Sequence, residues 1–307
     1  MENLHTQWQS ASINANGLTI FYESLGNPEA PAVILVAGLG CQLTMWPDQF
    51  CELMVKQGFR VIRFDNRDIG LSSEVNRHVK VSVPMAFLKS KLGRPIPSNY
   101  TLHDMADDLL GLMNALRIEA AHLVGVSMGG MISQIAAATH PKRFKSMSLI
   151  MTTTNSPKLP GPTWKVMNNM FLKKPRDASV EAFCEHVSRV FQVIGSPAYP
   201  TDEQELMTKA RNSFLRSKRS AGVMRQTNAV MATGCLESAT RNIQTPTLVI
   251  HGLADPLLRP ACGKRVAQLI QGARLELIHG MGHDLPAQLM PRLSELIGGH
   301  SRNHESQ

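Results

Sequence analysis

Short apolar runs alternate with helical stretches along this chain, and no other sequence feature limits its fold as tightly. The run AVILV at 32–36 has no polar residue to offer to water. A strand of that kind needs cover on both faces, as in a parallel sheet. Further strands are predicted at RVIRFD, 60–65, AHLVGV, 121–126, residues 147–151, TLVI, 247–250, and residues 274–278. Helical stretches lie between them. Residues 47–57 read as one, ended by Gly58. Thr101 opens another, with Asp104 three residues on in the capping-box arrangement. Leu102, Met105, Leu109, Leu112, Met113 and Leu116 then recur at helical spacing. Further helices are predicted over 128–140, 260–270 and 285–297. This order predicts an α/β chain: a mostly parallel, twisted sheet flanked by helices on both faces. At the start, two alternating segments flank Asn16-Gly17, a pair suited to a type I′ hairpin turn. The tail GGHSRNHESQ is polar and is expected to fray.

The alternation stops between Asn155 and Gln244. That stretch is helical in pattern, rich in Met and Phe, and broken by prolines. It predicts a helical cap inserted at 155–244 over a core built from 1–154 and 245–307. With 307 residues the chain can bury a substantial core. Its net charge is +8, and the insertion alone holds 13 Lys or Arg against 7 Asp or Glu. Two readings stay open: a solvated basic surface, or a basic rim that attracts anionic substrates or acidic lipid headgroups at a membrane surface. No nucleic-acid motif accompanies the charge, so no nucleic-acid partner is expected. No apolar stretch is long enough to span a bilayer, and residues 1–14 are polar with no secretory signal. The five cysteines are scattered, with no CxxC pair. Free thiols and a cytoplasmic location are the expectation, with no metal site.

The chemistry centres on Gly125-Val126-Ser127-Met128-Gly129, the one G-x-S-x-G in the chain. An apolar strand precedes it and an apolar helix follows. A sharp strand-to-helix turn would lift the Ser127 hydroxyl above the sheet edge, and glycines are needed where a Cβ would strike the turn. It would also set the electropositive helix N-terminus beneath a reacting carbonyl, with the amide of Met128 as an oxyanion donor. The bland reading is a Gly-Ser turn. A second donor is expected from Ala37-Gly38-Leu39-Gly40, after the strand at 32–36. The amide of Leu39 is assigned, with those of Gly38 and Gly40 as alternatives.

A serine hydroxyl needs a base beside it. Of the 11 histidines, His283 lies in Gly280-Met281-Gly282-His283-Asp284, directly after the last strand. His279 and His251 end strands, and His140 closes the helix after Ser127. His283 is assigned as the base. In His251-Gly252-Leu253-Ala254-Asp255-Pro256 the single acidic residue is Asp255, which would orient the imidazole. An Asp-Pro turn opening the next helix is its alternative role.

Taken together, AGLGCQLTMWPDQF (37–50), RFDNRDIGLSS (63–73), VGVSMGG (124–130), HGLADP (251–256) and HGMGHDLP (279–286) resemble the α/β-hydrolase fold-1 family. The order Ser127, Asp255, His283 is that family's order. Within it the chain is similar to bacterial esterases of the aclacinomycin methylesterase type. Much of the family has glycine where this chain has Asp68, and histidine where it has Ala37. The resemblance implies ester hydrolysis by a Ser-His-Asp triad through an acyl-enzyme, with no cofactor. It leaves cofactor-free perhydrolysis and carbon-carbon bond hydrolysis as alternatives, and a receptor that keeps the triad as a third. Gly38, Trp46, Trp164, Met167 and Phe171 are candidate pocket residues, with core packing as the alternative for Trp46, and suit a small-molecule ester with an apolar part.

Overall fold

An eight-stranded sheet runs through the molecule in the order β1-β2-β4-β3-β5-β6-β7-β8. The computed structural model describes residues 7–75, 96–170, 179–217 and 219–305. The strands are β1 Gln9–Ala15, β2 Leu18–Leu25, β3 Ala32–Val36, β4 Arg60–Phe64, β5 Ala121–Val126, β6 Phe144–Ile150, β7 Thr247–Gly252 and β8 Arg274–Ile278. β2 runs antiparallel to β1 and β4, and the pairings from β4 across to β8 are parallel. The helices are α1 Asp48–Lys56, α2 Leu102–Ala115, α3 Met128–Thr139, α4 Trp164–Met170, α5 Val180–Ile194, α6 Glu203–Arg216, α7 Ser220–Thr233, α8 Glu237–Arg241, α9 Pro260–Leu269 and α10 Met290–Arg302. Helices α4 to α8 fall between β6 and β7, where the strand–helix alternation stops.

The apolar runs are strands because both faces of the sheet are covered. On β3, Ile34 and Val36 enter one buried cluster with Leu109 of α2 and Ile132 of α3. Val33 and Leu35, pointing the other way, join Phe50 of α1 and Leu293 of α10. Asn16 and Gly17 have φ of 50° and 75°, and Ala15 pairs with Leu18, so the two-residue turn forms as the dipeptide predicts. The Asp104 carboxylate accepts the Thr101 amide at 2.7 Å and its hydroxyl at 2.8 Å, and α2 begins there.

Two expectations fail at the C-terminus. The last helix starts at Met290, because the chain first makes a 3-10 turn at Ala287–Leu289 after Pro286. It then continues through Gly298-Gly299 to Arg302, where a frayed tail was predicted. Gly298 lets the helix lie against α1, since a Cβ there would strike the Gln57 side chain. Glu305 is fixed by Lys145 and by His122 Nε2, the latter at 2.6 Å. All five cysteines are free thiols. No helix among the described residues is long and apolar enough to cross a membrane.

Candidate active site

The loops after β3, β5, β7 and β8 meet at the carboxyl edge of the sheet. Ser127 sits between β5 and α3 with φ 54° and ψ −118°, a strained backbone for a residue with a Cβ. The close packing of this bend accounts for its glycines. A Cβ on Gly125 would strike the Ser133 hydroxyl and the Gly129 carbonyl, and one on Gly129 would strike the Val36 carbonyl. The Ser127 hydroxyl donates to His283 Nε2 at 3.1 Å. His283 Nδ1 donates to Asp255 Oδ2 at 2.7 Å. The other Asp255 oxygen accepts the amides of Leu257 and Leu258, each at 2.9 Å. The carboxylate is therefore buried yet saturated, which fixes the imidazole tautomer through its partners.

The loops that carry Asp255 and His283 are zipped together by their backbones. Leu253 N–H donates to the Ile278 carbonyl and Ala254 N–H to the Met281 carbonyl, both at 2.9 Å. Gly252 permits this approach, because a Cβ there would strike the Met281 carbonyl. His251 is a second imidazole near the carboxylate, with Nε2 3.5 Å from Asp255 Oδ2. Burial pushes its pKa down, its Nε2–H donates to the Leu258 carbonyl at 2.6 Å, and its buried Nδ1 has no partner. It is thus neutral and turned to a backbone oxygen. His279 and His140 are exposed.

The His283 loop is also tied to the end of α5 and the chain after it. His283 N–H donates to the Ile194 carbonyl at 2.7 Å, and Gly282 N–H to the Ser196 hydroxyl at 2.8 Å. That hydroxyl donates in turn to Asp284, whose buried carboxyl is pushed up in pKa by its burial.

On the other side of Ser127 is the loop after β3. A Cβ on Gly38 would lie 3.5 Å from that of Ser127. Gly38 N–H donates to Met45 Sδ at 3.4 Å and Gly40 N–H to Gln226 Oε1 at 2.9 Å. Both glycine amides are committed to the protein. Met128 is the first residue of α3, where no intrahelical partner exists for its amide.

Residues that sequence reasoning missed hold α6 and α7 above this edge. Arg216 of α6 meets buried Asp65 at 2.8 Å. Arg225 of α7 grips Asp68 with two bonds, at 2.9 and 2.7 Å. Asp68 has φ 72°, the region where the family pattern places glycine. Its carboxylate, which also accepts the Val75 amide at 2.8 Å, explains why an aspartate stands there. The substitution of Asp for Gly was the one signal in the sequence. Two of the basic residues counted toward a charged rim therefore face inward.

The candidate pocket residues divide. Gly38 lies beside Ser127, close enough that an added Cβ would meet the Ser127 Cβ, and Met167 is half-buried on α4. Trp46 departs from the expectation. It is 1% exposed and stacks on Phe50 in the core beneath the sheet edge, with ring centroids 5.8 Å apart. Trp164 departs in the opposite sense, at 81% exposed, because α4 buries its Val166 side instead. Phe171 lies outside the described residues. A cavity of about 570 Å³ opens at the opposite, amino edge of the sheet, lined by Thr247, Arg274, His300 and His304 among others. Among the described residues no group of three His, Cys, Asp or Glu side chains is disposed to hold a metal ion.

Comparison with known proteins agrees with the geometry. The family model for the alpha/beta hydrolase fold matches residues 31–287. The chain is 25% identical over 311 residues to rhodomycin D methylesterase DauP of Streptomyces sp. (strain C5), covering 94% of this chain and 97% of that one. Among solved structures it is similar to the enol-lactonase of Burkholderia xenovorans LB400, with 26% identity, 94% and 99% coverage and a TM-score of 0.72. A meta-cleavage product hydrolase of Pseudomonas fluorescens IP01 shares the fold, with a TM-score of 0.75 at 20% identity over 98% and 99% of the two chains. This chain belongs to the alpha/beta hydrolase fold family.

Proposed function

We propose that this chain hydrolyses carboxylic esters of small molecules through an acyl-enzyme on Ser127. The observation that carries the reading is the unbroken relay from Ser127 Oγ to His283 Nε2, at 3.1 Å, and from His283 Nδ1 to Asp255 Oδ2, at 2.7 Å. Ser127 Oγ attacks the ester carbonyl while its proton passes to His283. Asp255 stabilises the imidazolium that forms. The oxyanion is received by the amides of Leu39 and Met128, since the neighbouring glycine amides are already occupied. The alcohol leaves with the proton held on His283. Water then gives a proton to the same imidazole and attacks the acyl carbon, freeing the acid and restoring the serine. Residues 155–244 act as a cap over a core formed by 1–154 and 245–307.

The similarity to a methylesterase supports an ester with a small alcohol part. The similarity to an enol-lactonase falls within the same chemistry, because a lactone is a cyclic ester. The test is turnover of p-nitrophenyl acetate, butyrate and octanoate by the wild type beside Ser127→Ala. The wild type is expected to turn over at least one, and the variant to lose at least about 10³-fold in kcat with its fold intact. Full activity in Ser127→Ala would sink the nucleophile, and no turnover of any ester would sink the activity.

A further inference from the structure

The amide assigned to the oxyanion lies in a glycine-flanked loop, which by itself would leave it free to turn. We propose that Gln226, on α7, is a positioning residue that aims the Leu39 amide at the oxyanion, so that the hole is complete only with α7 seated. The inference rests on the acyl-transfer reading above.

The Leu39 N–H belongs to the peptide that also carries the Gly38 carbonyl. In a trans peptide these two groups point in opposite directions. The Gly38 carbonyl accepts the Cys41 N–H at 3.2 Å, so the Leu39 N–H is turned away from Cys41. The peptides on either side must also be held, because glycine at 38 and 40 offers little resistance to rotation. Before it, Gly38 N–H is held by Met45 Sδ. After it, Gly40 N–H is held by Gln226 Oε1 at 2.9 Å. Gly40 has φ 70°, and its α-carbon is covered by Val223, whose methyl group would lie 3.2 Å from an added Cβ. Val223 and Gln226 are one turn apart on one helix face. A single face of α7 thus grips the end of the loop.

Gln226 can do this because its own orientation is fixed. It is fully buried, and its Nε2 donates to the Arg67 carbonyl at 2.9 Å. Reversing the amide would set oxygen against that carbonyl and N–H against the Gly40 N–H, two repulsions in place of two bonds. The adjacent Arg225 clamps the same helix to Asp68. The oxyanion loop therefore takes its last support from the insertion.

Gln226→Met keeps the side-chain length and removes both bonds. Its kcat is expected to fall about 10- to 100-fold, less than or comparable to losing one oxyanion donor outright. KM should change little. The fall should be the same factor for acetate, butyrate and octanoate, because every substrate makes the same oxyanion. The shape of the pH–rate profile should not move, since His283 and Asp255 are untouched. Gln226→Glu, its buried carboxyl protonated, can donate O–H to the Arg67 carbonyl and still accept the Gly40 N–H, and should retain more kcat than Gln226→Met. If the Met variant does not accumulate as folded protein, Gln226→Ala takes its place against Gln226→Glu. A kcat within twofold of wild type would overturn the inference, as would a loss that varies with acyl length, the mark of a repacked pocket. Ser127→Ala is measured alongside. If it is inactive while Gln226→Met is unimpaired, this inference alone fails; if it is active, the acyl-transfer reading fails first.

Discussion

The sheet core and the helices laid over its carboxyl edge are held by different forces. In the core, α2 buries Leu102, Met105, Ala106, Leu109, Leu110, Leu112 and Met113 against β3 and its neighbours. Above the edge, the longer α5 buries only Cys184 and Ser188, and α6 only Ala210. Phe183 and Phe214 pair with each other, rings 5.2 Å apart, rather than entering the core. Helix α7 places Ala229 in the core cluster with Val230 packed against it, but the contacts that orient α6 and α7 are polar: Arg216 on Asp65, Arg225 on Asp68, Gln226 on Gly40 and Arg67. Apolar burial is non-directional and makes a chain collapse. A forked guanidinium on a carboxylate has one good geometry and fixes where a helix sits. Stability resides mainly in the core, and alignment resides in the polar seat.

If chemistry belongs to the core loops, a change there should silence the enzyme without loosening the overlying helices. Asp255→Asn has the largest expected effect. It should lower kcat by about 10³- to 10⁴-fold, because the amide favours the wrong imidazole tautomer. Thermal unfolding should stay near that of the wild type. An Asn variant within tenfold of wild-type kcat would remove Asp255 from the relay. The next effect probes the seat. Arg225→Met leaves the Asp68 carboxylate buried without its cation, a change that costs about 3–5 kcal/mol. Asp68→Gly removes the charge and relaxes the positive φ together, and Arg225 keeps Glu74 at 3.5 Å. Chemical denaturation should find the glycine variant more stable than the methionine variant by about 1–2 kcal/mol. Equal losses would mean that Asp68 is not the group that needs its partner.

The same division governs what the sequence reveals. Strands β3 and β5 match their predicted bounds because a strand covered on both faces is buried at every position; β8, RLELI at the sheet edge, matches as well although it is only partly buried. Ser127, Asp255 and His283 were legible because glycines and strand ends surround them, and the structure brings the three side chains together. The seat was not legible. Arg216, Arg225 and Gln226 lie in an ordinary mix of helical residues, and their partners are about 150 residues or more away in the chain. Only Asp68, standing at a φ that suits glycine, betrayed its end of the contact. Trp46 and Trp164 misled because an aromatic type does not say which way its element faces. One packs under the edge and the other points to solvent. The C-terminal helix ran past Gly298-Gly299 because Gly298 lies close against the Gln57 side chain at the end of α1 and marks no stop.

The smallest effect tests whether the core, for all its apolar burial, also holds a pH-sensitive part, far from the polar seat. His300 of α10 lies at the amino edge of the sheet, donating to the Pro246 carbonyl at 3.2 Å and stacked near His304. Burial, against a partly compensating bond to Pro246, pushes its pKa down from 6.5 to about 4. The unfolded chain therefore takes up this proton first as pH falls. The stability it supports is complete above pH 6.5, drains away between 6.5 and about 4, and changes no further below that. His122 and His251 are pushed down by burial as well and add to the same slope. His300→Gln keeps a donor for the Pro246 carbonyl and cannot titrate. Denaturation midpoints between pH 7.5 and 4.5 should fall less steeply for the variant than for the wild type. Parallel curves would show that His300 is solvated enough to protonate in place, and it would then contribute nothing to the acid limb.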